Sequence, residues 1–380
     1  MDEEDGSGAF PLIPSSHNPS TPHPGGMGLS VAGVCGGWAA LTFMTARIGI
    51  IAGGNWIIDH VKIVDTWPAQ DALANILGGS DGTGGSPYNI LLDLAKLGAG
   101  VPLAGVGLVG DDADGRRIVA DCAAHGIDAG AIRAVAGAPT SYTDVVTVQG
   151  TGRRTFFHAR GANALLDAPH FDFTRVDARI FHLGYLLLLD RLDAVSATHG
   201  TVAAEVLARA QAAGLKTSID VVSEDSDRFP QIVRPALPYV DVCVMNEFEA
   251  GRVTGRQVQT AEGIDRTELR VAMQELLEAG VRERVVVHFP DGGCALGRDG
   301  AWDEHGSVRL PADYIKGAAG AGDAFTAGVL LGWHEGLPVR EWLRYGVCAA
   351  AANLSDETCT GGMQPLAACL ALGERYGFRS

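Results

Sequence analysis

Near the C-terminus, Gly320-Ala321-Gly322-Asp323 opens a stretch of helical character over 324–333. Small residues at a helix start let backbone N–H groups crowd around an anion, and the helix dipole adds attraction. A carboxylate at the same point needs a chemical reason. The simplest is to accept a proton from a hydroxyl that attacks a phosphoryl group. The plainer reading of the same residues is an Asp that caps a helix after a flexible loop.

Other polar residues fall where chains usually meet ligands. Gly54-Asn55-Trp56-Ile57-Ile58-Asp59 follows an apolar run over 48–52. An amide and a carboxylate at the carboxyl end of a strand suit vicinal hydroxyls. Gly84-Gly85-Ser86-Pro87-Tyr88-Asn89 precedes an amphipathic segment, where two glycines permit close approach of a ligand and Asn89 can reach sugar hydroxyls. Asn246-Glu247-Phe248-Glu249 reads as a capping box. The same Asn246 and Glu249 could hold Mg²⁺ through its waters, since the cap fixes the geometry a metal needs. Arg160-Gly161-Ala162-Asn163 ends a hairpin, and Arg160 could face an anionic group or simply be solvated. His288-Phe289-Pro290-Asp291-Gly292-Gly293 ends another strand and could turn beneath a nucleotide.

Two familiar phosphate motifs are disfavoured. Gly105-Val106-Gly107-Leu108-Val109-Gly110 spells G-x-G-x-x-G, but Asp111, Asp112 and Asp114 follow at once and would repel a pyrophosphate. The apolar run also continues through Val109, which puts these glycines in a strand. A P-loop is excluded, because the chain has no Gly-Lys dipeptide.

The elements that must position these residues alternate in type. Strands are predicted over 48–52, 101–108, 179–183, 217–221, 240–245 and 284–288. Helices are predicted over 87–97, 113–125, 202–213, 269–279, 324–333 and 341–354. Such alternation implies an α/β fold, a doubly wound and mostly parallel sheet with helices on both faces. The stretches 56–77 and 141–159 break the pattern and read as antiparallel strands of a small β lid. No internal repeat is visible.

Bulk properties narrow the function. The chain has 380 residues, 47% hydrophobic, with a formal net charge of -16. That acidity argues against a nucleic-acid partner or a membrane surface and fits a cytoplasmic enzyme. Seven cysteines without a C-x-x-C pair imply reduced thiols. Residues 1–46 read as a disordered or accessory extension. The first part is acidic and rich in Pro, Gly and Ser, and the following uncharged part is broken by Gly33, Gly36 and Gly37. Neither a signal peptide nor a membrane span fits, Met44 is an alternative start, and the folded domain is expected over 47–380.

Taken together, the motifs resemble those of the ribokinase-like carbohydrate kinases, the phosphofructokinase-B family. In order, these are Gly84-Gly85 with Asn89, then Gly110-Asp111-Asp112 with Gly115, Gly161-Ala162-Asn163, Asn246 with Glu249, and Gly320 to Asp323 followed by Ala324, Phe325 and Gly328. They span most of the folded part. The resemblance implies ATP-dependent transfer to a hydroxymethyl group of a small sugar or sugar acid. Asp323 would be the base. The amides of Gly320, Ala321 and Gly322 would form the anion hole. Asn246 and Glu249 would serve Mg²⁺ and phosphate. Asn55, Asp59, Gly84, Gly85, Asn89, Arg160 and Asn163 would lie on the acceptor side, and His288 and Gly293 on the nucleotide side. The helix N-terminus is expected to depress the Asp323 pKa, so that Asp323 mainly orients the hydroxyl and takes the proton late.

Two departures limit the carry-over. Gly317-Ala318 stand where the family usually has Asp-Thr, so activation by a monovalent cation does not carry over. His288-Phe289-Pro290 replace the usual Thr-x-Gly after a strand, and His288 takes over that position. The alternatives are a nucleoside kinase and a catalytically silent sugar-binding regulator on the same fold. An exposed lid edge also predicts a homodimer.

Overall fold

The computed structural model describes residues 47–174, 177–261 and 263–380. The expected extension over 1–46 lies outside the described residues. The first elements are β1 (Gly49–Gly54), β2 (Ile57–Val64), β3 (Ile76–Gly84), α1 (Ser86–Leu97), β4 (Leu103–Gly110), α2 (Ala113–Ala124) and β5 (Ile127–Val135). Then come β6 (Ser141–Val148), β7 (Arg154–Ala159), β8 (Ala178–Leu186), α3 (Val202–Ala212), β9 (Lys216–Val221), α4 (Phe229–Val233), β10 (Val242–Asn246), α5 (Glu247–Thr254) and α6 (Arg266–Glu278). The chain closes with β11 (Arg284–Phe289), β12 (Gly292–Gly297), β13 (Trp302–Gly306), α7 (Ala321–His334), α8 (Val339–Asn353) and α9 (Leu366–Tyr376).

The main sheet has nine strands in the order β13-β12-β11-β10-β9-β8-β1-β4-β5. It is parallel from β11 to β5, and the β11-β12-β13 meander at one end is antiparallel. Every residue of β1 is buried. A short, unbroken apolar run is what a strand needs when helices cover both faces. One face packs against α3 to α6 through residues such as Leu207, Val253 and Leu276. The other packs against α1, α2, α7 and α8 through Leu91, Leu94, Ile118, Leu330 and Leu343. The predicted apolar stripe of α1, Ile90, Leu91, Leu94 and Leu97, is fully inside. The glycines of the false dinucleotide motif lie in β4 as expected. Gly105 and Gly107 leave room for the buried indole of Trp56, whose Nε1–H donates to Val106 O at 2.9 Å.

The second sheet, β3-β2-β6-β7, has four strands and is mixed, which corrects the antiparallel expectation. β2 pairs antiparallel with β3, β6 does so with β7, and β2 pairs parallel with β6. The reason is topological. β2 continues from β1 and β6 from β5, and both leave the parallel sheet in the same direction. β3 also runs to Gly84, beyond the expected limit at 77, so the lid delivers Gly84-Gly85 directly to α1.

The order of connections reverses at β1. From β1 the chain moves to β4 and β5 on one side, then returns at β8 and proceeds to β11 on the other. Crevices at the carboxyl ends of strands form at such switch points. Asn55, Tyr185, Asp220, Asn246 and His288 all stand at or just past those ends.

Candidate active site

α7 starts from Gly320, which has φ 72° and no side chain capping the helix. A Cβ at Gly320 would lie 2.1 Å from Cys359 O, so both the backbone angle and the space require glycine. The first turn therefore presents its N–H groups without a side-chain cap.

Asp323 sits in that turn and is 5% exposed. Asn89 Nδ2 donates to its Oδ2 at 2.8 Å. Tyr185 Oη donates to Oδ1 at 2.8 Å and to Oδ2 at 2.9 Å. Asn89 belongs to the first turn of α1, immediately after the glycine pair. The structure thus ties Asp323 to the Gly84-Gly85 junction through one hydrogen bond. Burial, with the Asp220 carboxylate next in weight, pushes Asp323 up to about 7, against the bonds from Asn89 and Tyr185. The expected depression by the helix N-terminus is overturned, because loss of solvent and a neighbouring like charge outweigh one dipole.

On the lid side, β2 carries Asp59. Burial pushes it up to about 6, opposed by Cys359, Thr143, His60 and Arg154. Cys359 Sγ donates to Asp59 Oδ2 at 3.5 Å. A Cβ on Gly84 would lie 2.4 Å from Asp59 Oδ1, and one on Gly85 would lie 2.2 Å from Asn55 O. The glycine pair therefore makes room for Asp59 and for the turn after β1.

The other expected acceptor-side residues are committed to protein partners. Asn55 is buried, accepts from Tyr185 N–H at 2.9 Å and donates to Leu188 O at 3.0 Å. Asn163 pairs with the Trp56 backbone, donating to its O at 3.1 Å and accepting from its N–H at 3.3 Å. It braces the turn into the lid. Arg160 pairs with Asp190 at 3.2 Å, so its charge is already matched.

At the end of β10, Asn246 and Glu249 form the capping box. Asn246 Oδ1 accepts from Glu249 N–H at 2.8 Å, and Glu249 Oε2 accepts from Asn246 N–H at 2.9 Å. Glu249 Oε1 accepts from Ser223 Oγ at 2.7 Å and from Asn246 Nδ2 at 2.9 Å. Burial pushes Glu249 up to about 8. Among the described residues no group of three or more His, Cys, Asp and Glu side chains is placed to enclose a metal ion. Direct ligation by Glu249 would break the box. Hydrogen bonding to the waters of a hard cation would not, and nearby Asp220 has a buried Oδ1 without a partner. The oxygen donors present therefore fit Mg²⁺ held through water.

His288 is the penultimate residue of β11, with its ring centroid 5.1 Å from that of Phe325. It borders Gly322, where a Cβ would lie 3.1 Å from His288 Cε1. Burial holds its pKa down at about 4, so the ring is neutral at neutral pH. Gly293 faces it across the β11-β12 ladder and leaves room for Phe325.

Three residues escaped the sequence reading. Tyr185 and Asp220 stand at the ends of strands predicted over 179–183 and 217–221, where the strand-end rule points. Cys359 lies in the loop after α8 and carries no local signal.

The pfkB family carbohydrate kinase profile matches residues 51–365. The chain belongs to that family. It is 27% identical over 305 residues to a ribokinase of Arabidopsis thaliana, covering 80% of this chain and 75% of the relative. It is 27% identical over 284 residues to fructokinase-1 of Zea mays, covering 74% of this chain and 81% of the relative. Among solved structures, Arabidopsis thaliana ribokinase complexed with ribose and ATP superposes with a TM-score of 0.68 at 22% identity, covering 86% of this chain and 98% of that one. A putative ribokinase II from E. coli in complex with ATP and Mg²⁺ gives 0.67 at 19% identity, covering 86% and 99%. The protein is a carbohydrate kinase with a ribokinase-like fold. Among the described residues no helix is long and apolar enough to cross a membrane.

Proposed function

We propose that this kinase, with its catalytic domain over 47–380, transfers the γ-phosphoryl group of ATP to a hydroxymethyl group of a small sugar. Asp323 is the base. The observation that carries this reading is the placement of a buried carboxylate with a pKa near 7 in the uncapped first turn of α7, hydrogen-bonded to Asn89. A base tuned near the working pH combines adequate ionisation with adequate basicity. The acceptor hydroxyl gives its proton to Asp323, its oxygen bonds to the γ-phosphorus, and the β–γ bridging oxygen leaves with ADP. The N–H groups of Gly320, Ala321 and Gly322 face the charge on the migrating group. Magnesium held through its waters beside Asn246 and Glu249 would offset the charge on the nucleotide phosphates. His288 and Gly293 flank the nucleotide side, with the neutral imidazole against Gly322.

The acceptor side favours an uncharged sugar over a sugar acid. Asp59 and Asp323 are both acidic, and Arg160 is already paired with Asp190. ADP release measured over a panel of neutral sugars, sugar acids and nucleosides tests this directly. A neutral sugar should be turned over fastest, and Asp323→Asn should lower kcat by about 10²–10⁴. Undiminished turnover by that variant would remove Asp323 from the mechanism.

The lid supports a homodimer. Trp67, Ile76, Leu77, Phe156 and Phe157 are exposed there, and the Trp67 and Phe157 rings stack 6.2 Å apart. Exposed apolar side chains gathered on the lid in this way mark an interaction site. Sedimentation should give a dimer, and a charged replacement of Phe157 should give a monomer. A wild-type monomer at micromolar concentration refutes the assignment.

A further inference from the structure

The end of β8 and the residues just after it are stapled to Asn55, which follows β1. Asn55 N–H donates to Gly184 O at 3.2 Å, Asn55 Oδ1 accepts from Tyr185 N–H at 2.9 Å, and Asn55 Nδ2 donates to Leu188 O at 3.0 Å. Gly184 has no room for a side chain. A Cβ there would lie 2.2 Å from Ser86 Oγ and 2.3 Å from Asp220 Oδ1. The staple and the tight packing fix where the Tyr185 phenol goes. Its O–H bridges both oxygens of Asp323.

The surroundings of Asp323 are otherwise hostile to charge. Asp220 approaches from the end of β9 and Asp59 from β2. Asp93 from α1 also acts on it, with both carboxylate oxygens buried and unpartnered. Cys359 approaches from the loop after α8, and its thiol is held protonated by burial and by these acids. Against them stand the α7 N-terminus and two side-chain donors, Asn89 and Tyr185. Thr83 Oγ1 donates to Asn89 Oδ1 at 2.7 Å, which sets the Asn89 amide so that its NH₂ faces Asp323. Asn89 reaches only Oδ2. Tyr185 is the side chain that touches Oδ1.

We propose that Tyr185 is a positioning residue for phosphoryl transfer. It fixes the plane of the Asp323 carboxylate and keeps that group ionised among three neighbouring carboxyl groups, and Asn55 acts through it. This rests on Asp323 being the base. The physical reason is that a hydrogen bond to a carboxylate favours its charged form, most of all where water is excluded. The phenol stays protonated, because burial and the facing Asp323 and Asp220 push its own pKa well up. It is therefore a donor throughout the working pH range.

The test is the pH profile of kcat/KM for ADP release, with a sugar the wild-type enzyme turns over, for wild type and Tyr185→Phe. In wild type the acid limb should fall near the Asp323 pKa. Tyr185→Phe should move it up by about one pH unit, lowering kcat/KM about tenfold below the limb, with the KM for ATP unchanged. Replacing the Tyr185 phenol by a mono-fluorinated phenol keeps the shape and strengthens the donor. The limb should then move down, and this arm stands even where Tyr185→Phe folds poorly. A limb that stays in place in both variants overturns the proposal. Asp323→Asn separates the two layers. Full activity in that variant sinks the base assignment itself, whereas an inactive Asp323→Asn with an unmoved limb sinks only the role of Tyr185.

Discussion

Asp323→Asn should stabilise the fold at alkaline pH while it slows turnover. The Asp323 pKa rises from 3.8 to about 7 on folding. The folded chain thus holds this proton more tightly than the unfolded chain. The charged form is the disfavoured one, so its cost is absent below the unfolded pKa and grows as pH rises toward 7. Above 7 it levels off. Between pH 5 and pH 7 the cost accumulates at about 1.36 kcal/mol per pH unit, so roughly 2.5 kcal/mol separates pH 8 from pH 5. Asparagine carries no charge at either pH. It can still accept from one donor through its carbonyl, while its NH₂ donates to the Tyr185 oxygen. Changes in those neutral bonds are the same at both pH values and cancel from the difference. The measurement is thermal unfolding of wild type and variant at pH 5 and pH 8. The variant's advantage in Tm should be larger at pH 8 by roughly 4 °C for a domain of this size. An advantage that does not depend on pH, or that shrinks as pH rises, refutes the claim that burial and Asp220 hold the Asp323 pKa up.

Other consequences can be measured on the same preparation. In wild type, kcat/KM should fall as pH drops through about 7, because the base is lost as Asp323 takes up its proton. Gly84→Ala drives a methyl to 2.4 Å from Asp59 Oδ1, so the KM for the sugar should rise about tenfold or more while the KM for ATP holds. An unchanged sugar KM would remove Asp59 from the acceptor pocket. Gly320→Ala must adopt φ 72° and meets Cys359 O, and it should cost about 1–3 kcal/mol of stability and lower kcat by about a hundredfold. Glu249→Gln keeps one oxygen for the Asn246 N–H but puts an NH₂ where the other oxygen accepts from Ser223 Oγ and Asn246 Nδ2. The Mg²⁺ concentration for half-maximal rate should rise about tenfold, and an unchanged Mg²⁺ dependence would exclude Glu249 from the metal's surroundings.

The sequence by itself determined the alternating layers, the Gly320-to-Asp323 helix start, the Asn246-Glu249 capping box and the glycine pair before α1. Each is a local matter. Apolar runs, helical stripes and turn residues announce themselves within a few positions, because neighbouring backbone and side-chain preferences create them. It left β5, β12 and β13 undeclared, since strands at or beside the sheet edges that are rich in Ala, Gly and charged residues lack the apolar run of a central strand. Only the tertiary structure decided that Asn55 and Asn163 brace backbone, and that Arg160 is matched by Asp190. It also decided that β2 and β6 run parallel. The Asp323 pKa was decided there too. A helix dipole can be read from four consecutive residues, but Asp220, Asp59, Tyr185 and Asn89 come from separate elements, and desolvation exists only once all of them close around one carboxylate. Charge states are set by what folding brings together across the chain, and sequence spacing does not encode those distances.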